Sequence, residues 1–195
     1  MGKVKVPIGM QTSWFFPIVN EPKGKTPVYG PKLDMGAAVK GYLTVSTANA
    51  SIPGDDITQI DIEVFTGGQL DAETTLSDLE INAKIYGHTY SEEGGEVSSS
   101  DDTAPNGGYA FVEPIMKSDK TIVYRATCLQ KVSAMPSSEK QQADTKKQGA
   151  ITPKNNMVSY KVMEAADRVW RNRNDFDSLD KAHAYIETKF PQQTV

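Results

Sequence analysis

The apolar residues of this chain fall into short alternating runs separated by long polar stretches. Val39, Gly41, Leu43 and Val45 alternate with Lys40, Tyr42 and Thr44, and Ile60, Ile62 and Val64 alternate with Asp61 and Glu63. A period of two with one wet face predicts half-buried strands. The segment between these runs, residues 46–59, is polar and longer than a tight hairpin turn requires. Its residues Ala48, Asn49, Ala50, Ser51 and Ile52 are small and mostly uncharged, so a strand can continue there beyond the sheet. An arm of that kind cannot bury Ile52 on its own domain.

A helix is predicted over Thr75–Tyr86, capped by Thr75, with Leu76, Leu79, Ala83 and Tyr86 on one face and Gly87 as a left-handed stop. Residues 91–108 are acidic, rich in Gly and Ser, and read as a mobile surface loop. The clearest hairpin pairs Tyr109–Met116 with Thr121–Val132 across Lys117-Ser118-Asp119-Lys120, and Ile122, Tyr124, Ala126 and Cys128 share a face. A second polar segment, residues 137–156, has room for a solvated edge strand, and Val158, Tyr160 and Val162 mark another strand. Asp177 or Ser178 caps a closing helix with a stripe of Leu179, Ala182, Tyr185 or Ile186, and Phe190, which Pro191 stops.

The first 35 residues differ. Pro7, Pro17, Pro22, Pro27 and Pro31 deny this stretch a central strand or a long helix, because proline lacks the amide donor. It reads as an extended arm, residues 1–35, preceding a single domain, residues 36–195. Trp14, Phe15, Phe16 and Ile18 within it need burial, either on the chain's own domain or on a neighbouring copy. The expected fold class is α+β: a mainly antiparallel sandwich or barrel, with one mid-chain and one C-terminal helix and extended arms.

Composition narrows the function. Hydrophobic residues make up 38% of the 195, which suits a modest core with long loops or arms. A net charge of -4 argues against gripping nucleic acid through its phosphates. Cys128 is the single cysteine, so no intrachain disulfide forms, and its strand neighbours mark it as a small core residue. The first ten residues lack a secretory apolar run, and no apolar stretch is long enough to span a bilayer, so the expectation is a chain made soluble in a cytoplasm.

Site chemistry is sparse. His88 and His183 stand at no metal-ligand spacing with each other or with Cys128. Asp55-Asp56 and Asp101-Asp102 lack the ligand ladder of a calcium loop and read as solvated turn residues. Gly67-Gly68 and Gly107-Gly108 precede no phosphate-binding Lys-Ser or Lys-Thr and read as turns. Trp170, Arg171 and Arg173 read as a strand end or helix end covered by arginine stems. No catalytic, cofactor-binding or metal-binding residues are expected.

The order of local phrases resembles the major tail proteins, or tail tube proteins, of long non-contractile-tailed bacteriophages (the siphophage type). The resemblance runs from about Val28 to Phe190. It takes in the two strands flanking Gly54-Asp55-Asp56, then FTGGQLDAETTLSDLEINAKIYG, in which a Gly-rich turn leads into a helix ending in Gly. It continues through Pro105-Asn106-Gly107-Gly108 into a Tyr-Ala-Phe-Val strand, a hairpin returning as VYRATCLQKV, and the closing SLDKAHAYIETKF. The family implies a tail-tube β-sandwich whose copies form hexameric rings stacked into a channel for genome delivery. It also implies partners such as the tape measure and tail terminator proteins, DNA that passes without specific binding, no membrane, and a place in the virion tail after assembly in the host cytoplasm. Tail tube proteins project a hairpin towards the next ring from this part of the chain. Ala48, Asn49, Ala50, Ser51, Ile52, Asp55 and Asp56 are therefore the candidate inter-ring contact. A carbohydrate- or receptor-binding module of a tail tip is the alternative, which an aromatic platform would mark. A contractile-tail or secretion-machine tube protein would share the ring.

Overall fold

The computed structural model of the chain describes residues 5–54, 57–139 and 155–193, with the side chains of residues 51–61 outside that description. Twelve strands follow in order: β1 (Lys5–Pro7), β2 (Gln11–Asn20), β3 (Val28–Tyr29), β4 (Leu33–Asp34), β5 (Ala38–Gly54), β6 (Ile57–Thr74), β7 (Thr89–Ser91), β8 (Gly95–Val97), β9 (Asn106–Lys117), β10 (Ile122–Ala134), β11 (Asn156–Met163) and β12 (Arg171–Phe176). Helix α1 (Leu79–Tyr86) lies between β6 and β7, and α2 (Leu179–Lys189) closes the chain. The α+β class holds. Apart from the small β7–β8 hairpin, the strands form one antiparallel sheet in the order β3-β2-β9-β10-β11-β6-β5, with β1 beside β9, β4 beside β2 and β12 beside β10.

The sheet curls. Three inter-strand steps separate β2 from β11, about 14 Å along a flat sheet. Yet Phe15 of β2 stacks on Tyr160 of β11 with ring centroids 6.0 Å apart, and Tyr109 of β9 lies 5.0 Å from the same ring. The concave face holds Phe15, Leu70, Tyr109, Leu129, Tyr160 and Val162, with Ile85 and Tyr86 of α1. The other face of β2, β9 and β10 carries Trp14, Phe16, Ala110, Val112, Ala126 and Cys128 beneath Ala182, Ile186 and Phe190 of α2 and its end. Both faces of these central strands are covered, so their buried residues run almost without a break. Cys128 is a core residue, and burial pushes its thiol up to about 12.

β10 divides its partners. Tyr124–Leu129 pair with β12 and Lys131–Ala134 pair with β11, and the β9–β10 register shifts between Leu129 and Val132. A bulge at this point bends the strand and lets it belong to two parts of the sheet. The β9–β10 turn follows the sequence expectation: Asp119 Oδ1 accepts from the Thr121 amide at 2.9 Å, and Lys120 takes a positive φ of 66°. So does α2, in which the Ser178 hydroxyl accepts from the Lys181 amide.

Several expectations need correction. Residues 11–20, read as part of an arm, are β2, paired to β9 along Gln11–Pro17. The prolines are tolerated because Pro7 ends β1 and Pro17 lies at the end of the β9 pairing, where its carbonyl accepts from the Gly30 amide at 2.7 Å. Trp14, Phe15 and Phe16 are buried in the chain's own domain. Helix α1 starts one turn later than Thr75: Asp78 is the N-cap, accepting from Glu80 and Ile81, while the Thr75 hydroxyl is occupied by the Ala37 amide. That start leaves Leu79 54% exposed and turns Ala83, Ile85 and Tyr86 inward, with Gly87 in the left-handed cap as expected. Residues 91–108 are not a plain loop, since β8 pairs with β7 and Asp102 accepts from the Ser99 amide at 2.7 Å. Gly107 and Gly108 are not turn residues but lie in β9, where a Cβ on either would drive into the rings of Phe15 or Phe190. The solvated edge strand expected within residues 137–156 falls largely outside the described residues. Pro136–Ser138 form a single 3₁₀ turn before it.

Candidate assembly surface

The sheet ends on β5, whose outer edge has no ladder partner among the described residues. β6 pairs with β11 only over Gly68–Thr74, while its pairing with β5 continues out to Gly54 opposite Ile57. Beyond Gly68 the two strands therefore leave the sheet as a two-stranded ribbon. From Ser46 to Gly54 this is nine residues of β5, or about 30 Å at the usual strand rise. The sequence separates the two strand cores by a segment too long for a tight turn, and the strands absorb that length by continuing through it. Asp55 and Asp56, the last two candidate contact residues, lie outside the described residues.

The register gives the ribbon two unlike faces. Ala48 lies opposite Val64 and Ala50 opposite Ile62, and Ile52 pairs with Ile60 next in the ladder. Residues directly opposite one another share a face, and alternate pairs repeat it. Ala48, Ala50, Ile62 and Val64 thus form one apolar face. Asn49 opposite Glu63 and Ser51 opposite Asp61 occupy the alternate positions. Thr47 donates to Glu63 across the ladder at 2.6 Å. Val64 is 56% exposed and Ile62 46%, and Ser46–Ala50 are all exposed. Five of the seven candidate residues are thus assembled into one ladder. The sequence named one side of the apolar face and missed the other, Ile62 and Val64, although their alternation was visible.

The ribbon's root is packed against the sheet. Gly68 lets the strands approach: a Cβ there would stand 2.6 Å from the Thr44 carbonyl oxygen. The register shifts at Ser46 and Thr47, opposite Gly67 and Phe65, so Gly67-Gly68 mark a bulge inside a strand and not a turn. Just past it, Phe65 stacks flat on Trp170, centroids 4.4 Å apart. The Arg171 guanidinium covers the Trp170 ring at 4.3 Å, as the sequence suggested. The Trp170 carbonyl accepts from the Gln130 amide at 3.0 Å, at the point where β10 changes partners.

No family model matches this chain, and no curated protein matches it either. A projecting strand pair with one apolar face exposed among the described residues is suited to bury that face against another polypeptide. The outer edge of β5, without a ladder partner among the described residues, is a second self-complementary feature, because a strand edge can extend a ladder. His183, the other histidine, contacts Thr12 at 2.7 Å and the Trp14 ring at 4.6 Å, beneath Lys32. This is a packing role on α2. No helix among the described residues is long and apolar enough to cross a membrane.

Proposed function

We propose that this chain is the structural subunit of a phage tail tube of the long, non-contractile type. Its copies form hexameric rings, and the rings stack into the channel that carries the genome into the host. The observation that supports this most is the ribbon of β5 and β6, which leaves the sheet with Ala48, Ala50, Ile62 and Val64 uncovered on one face. A stack of identical rings is a head-to-tail assembly, in which an arm from one ring meets a different surface of the next and the contact repeats without limit. The curled sheet with its free β5 edge supplies the lateral contact: sheets joined edge to edge around a ring leave no edge open. The net charge of -4 suits a lumen that lets DNA slide past. The tape measure and tail terminator proteins complete the set of partners, and the place of action is the virion tail, assembled in the host cytoplasm.

A tail-tip receptor module would present aromatic side chains as a platform. The exposed aromatics among the described residues, Tyr42 and Tyr90, stand on β5 and β7 in different sheets, and no observation favours that role. Negative-stain microscopy of the purified protein, with mass photometry across concentrations, tests the proposal. Hexameric rings or tubes are expected. A monomer or a closed dimer at every concentration contradicts it.

A further inference from the structure

The fold gathers one histidine and three carboxylates from four separate places in the chain. His88 follows the Gly87 cap of α1, Glu96 lies on β8, Asp102 lies in the turn after β8, and Glu139 ends the 3₁₀ turn that follows β10. The His88 Nδ1 and the Glu96 Oε1 are 2.7 Å apart, and ligand atoms of His88, Glu96 and Glu139 all lie within 4.8 Å of one another. The His88 and Glu96 side chains are only 7% and 9% exposed. Asp102 approaches the other ring nitrogen, Nε2, at 4.0 Å.

Among the described residues the charges do not balance. Three carboxylates face one imidazole, so the group stays negative even with His88 protonated. Among the described residues no lysine or arginine pairs with Glu96, Asp102 or Glu139. Clustered carboxylates out of full contact with water are costly unless a cation joins them. The donors also have the right kind and spread: a divalent ion held at about 2.0–2.2 Å by one imidazole nitrogen and two carboxylate oxygens needs its ligand atoms about 3–4 Å apart.

We propose that His88, Glu96 and Glu139 bind a divalent transition-metal ion of the zinc type, with His88 coordinating through Nδ1. The remaining N–H, at Nε2, then faces Asp102, whose Oδ2 stands 4.0 Å away, beyond direct hydrogen-bond distance. The imidazole nitrogen selects zinc, cobalt or nickel over calcium and magnesium, whose sites are built from oxygen. The ion would staple the β7–β8 hairpin and the end of α1 to the chain at Glu139. This site lies apart from the ribbon, so it stands or falls independently of the tube assignment.

The test uses the untagged, metal-free full chain, titrated calorimetrically with Zn²⁺ and with Ca²⁺, and followed by visible absorption with Co²⁺. One saturable equivalent of Zn²⁺ per chain is expected, tighter than Ca²⁺, with ligand-field bands on adding Co²⁺. Glu139→Gln should weaken Zn²⁺ by roughly tenfold or more. It should not lower the metal-free melting temperature, because it removes one of the clustered carboxylates. His88→Gln should abolish the Co²⁺ bands, and His183→Gln should retain them. Absence of saturable Zn²⁺ binding, tighter binding of Ca²⁺, or wild-type Zn²⁺ affinity in Glu139→Gln would each overturn the proposal.

Discussion

Phe65 lies face to face with Trp170, centroids 4.4 Å apart and ring planes within 6° of parallel, where the β5–β6 ribbon leaves the sheet. The pair joins the ribbon's base to the backbone at Gln130, where β10 passes from β12 to β11. An arm anchored this way enters an assembly already oriented, which lowers the entropy cost of docking it. Phe65→Ala should cost about 1–2 kcal/mol of stability, because both rings are only partly buried. Tube formation should suffer more than folding does. Thermal denaturation beside microscopy separates the two effects.

Gly107 and Gly108 make a second pair of close approaches, with Phe15 on one face of β9 and Phe190 on the other. Gly107→Ala should destabilise by about 1–3 kcal/mol, the usual cost of overpacking a filled core. Adding Phe15→Leu should recover part of that loss, since the two sites share one space. Denaturant unfolding of the single and double variants checks the coupling.

Leu79 and Ile85 lie on the same short helix and differ completely in burial, 54% against 0% exposed. Leu79→Asp should therefore change stability by no more than about 0.5 kcal/mol, as surface substitutions do. Ile85→Asp should cost about 3–5 kcal/mol, or prevent folding, because it buries an unpaired charge. Melting temperatures of the two variants decide whether α1 starts at Asp78.

Asp175 links β12 to two neighbours. It accepts from Arg125 Nε and Nη2 at 2.7 and 3.1 Å and from Lys5 at 2.8 Å. The Arg125 hydrogen bonds hold its carboxyl at about 2, below the usual carboxylate range. A carboxylate whose folded-state pKa is depressed stabilises the fold above its unfolded pKa and loses that contribution as pH falls through the folded one. The loss should thus occur between about pH 4 and pH 2. Asp175→Asn should cost about 1 kcal/mol at neutral pH, a value reduced by partial solvent exposure, and should flatten stability across that acid window.

Much of the framework was legible in the sequence where the signal was local. The β9–β10 turn carries its own Asp119–Thr121 hydrogen bonds, and α2 its own Ser178 cap, so short stretches sufficed. β2 was hidden because five prolines mark the first 35 residues, while only contact with β9 reveals that Pro17 falls at the end of a ladder. Gly107-Gly108 looked like a turn because the aromatic rings that require them come from residues about 90 positions before and 80 after. The helix start turned on a competition: Ala37 occupies the Thr75 hydroxyl, and Asp78 caps instead. The ribbon was legible as a strand continuation at Ala48–Ile52. Its apolar face was not, because register is a property of two strands and not of one. The His88 cluster was invisible for the same reason, since Glu139 lies far along the chain from Glu96.

In the proposed tube the ribbon joins one ring to the next. Replacing residues 48–55 with a short Gly-Ser turn removes the outer ladder and leaves the sheet from Gly68 inward intact. Circular dichroism and melting should show a folded chain, and electron microscopy should show subunits or single rings without long tubes. Tubes of normal length from this shortened, folded protein would contradict the account.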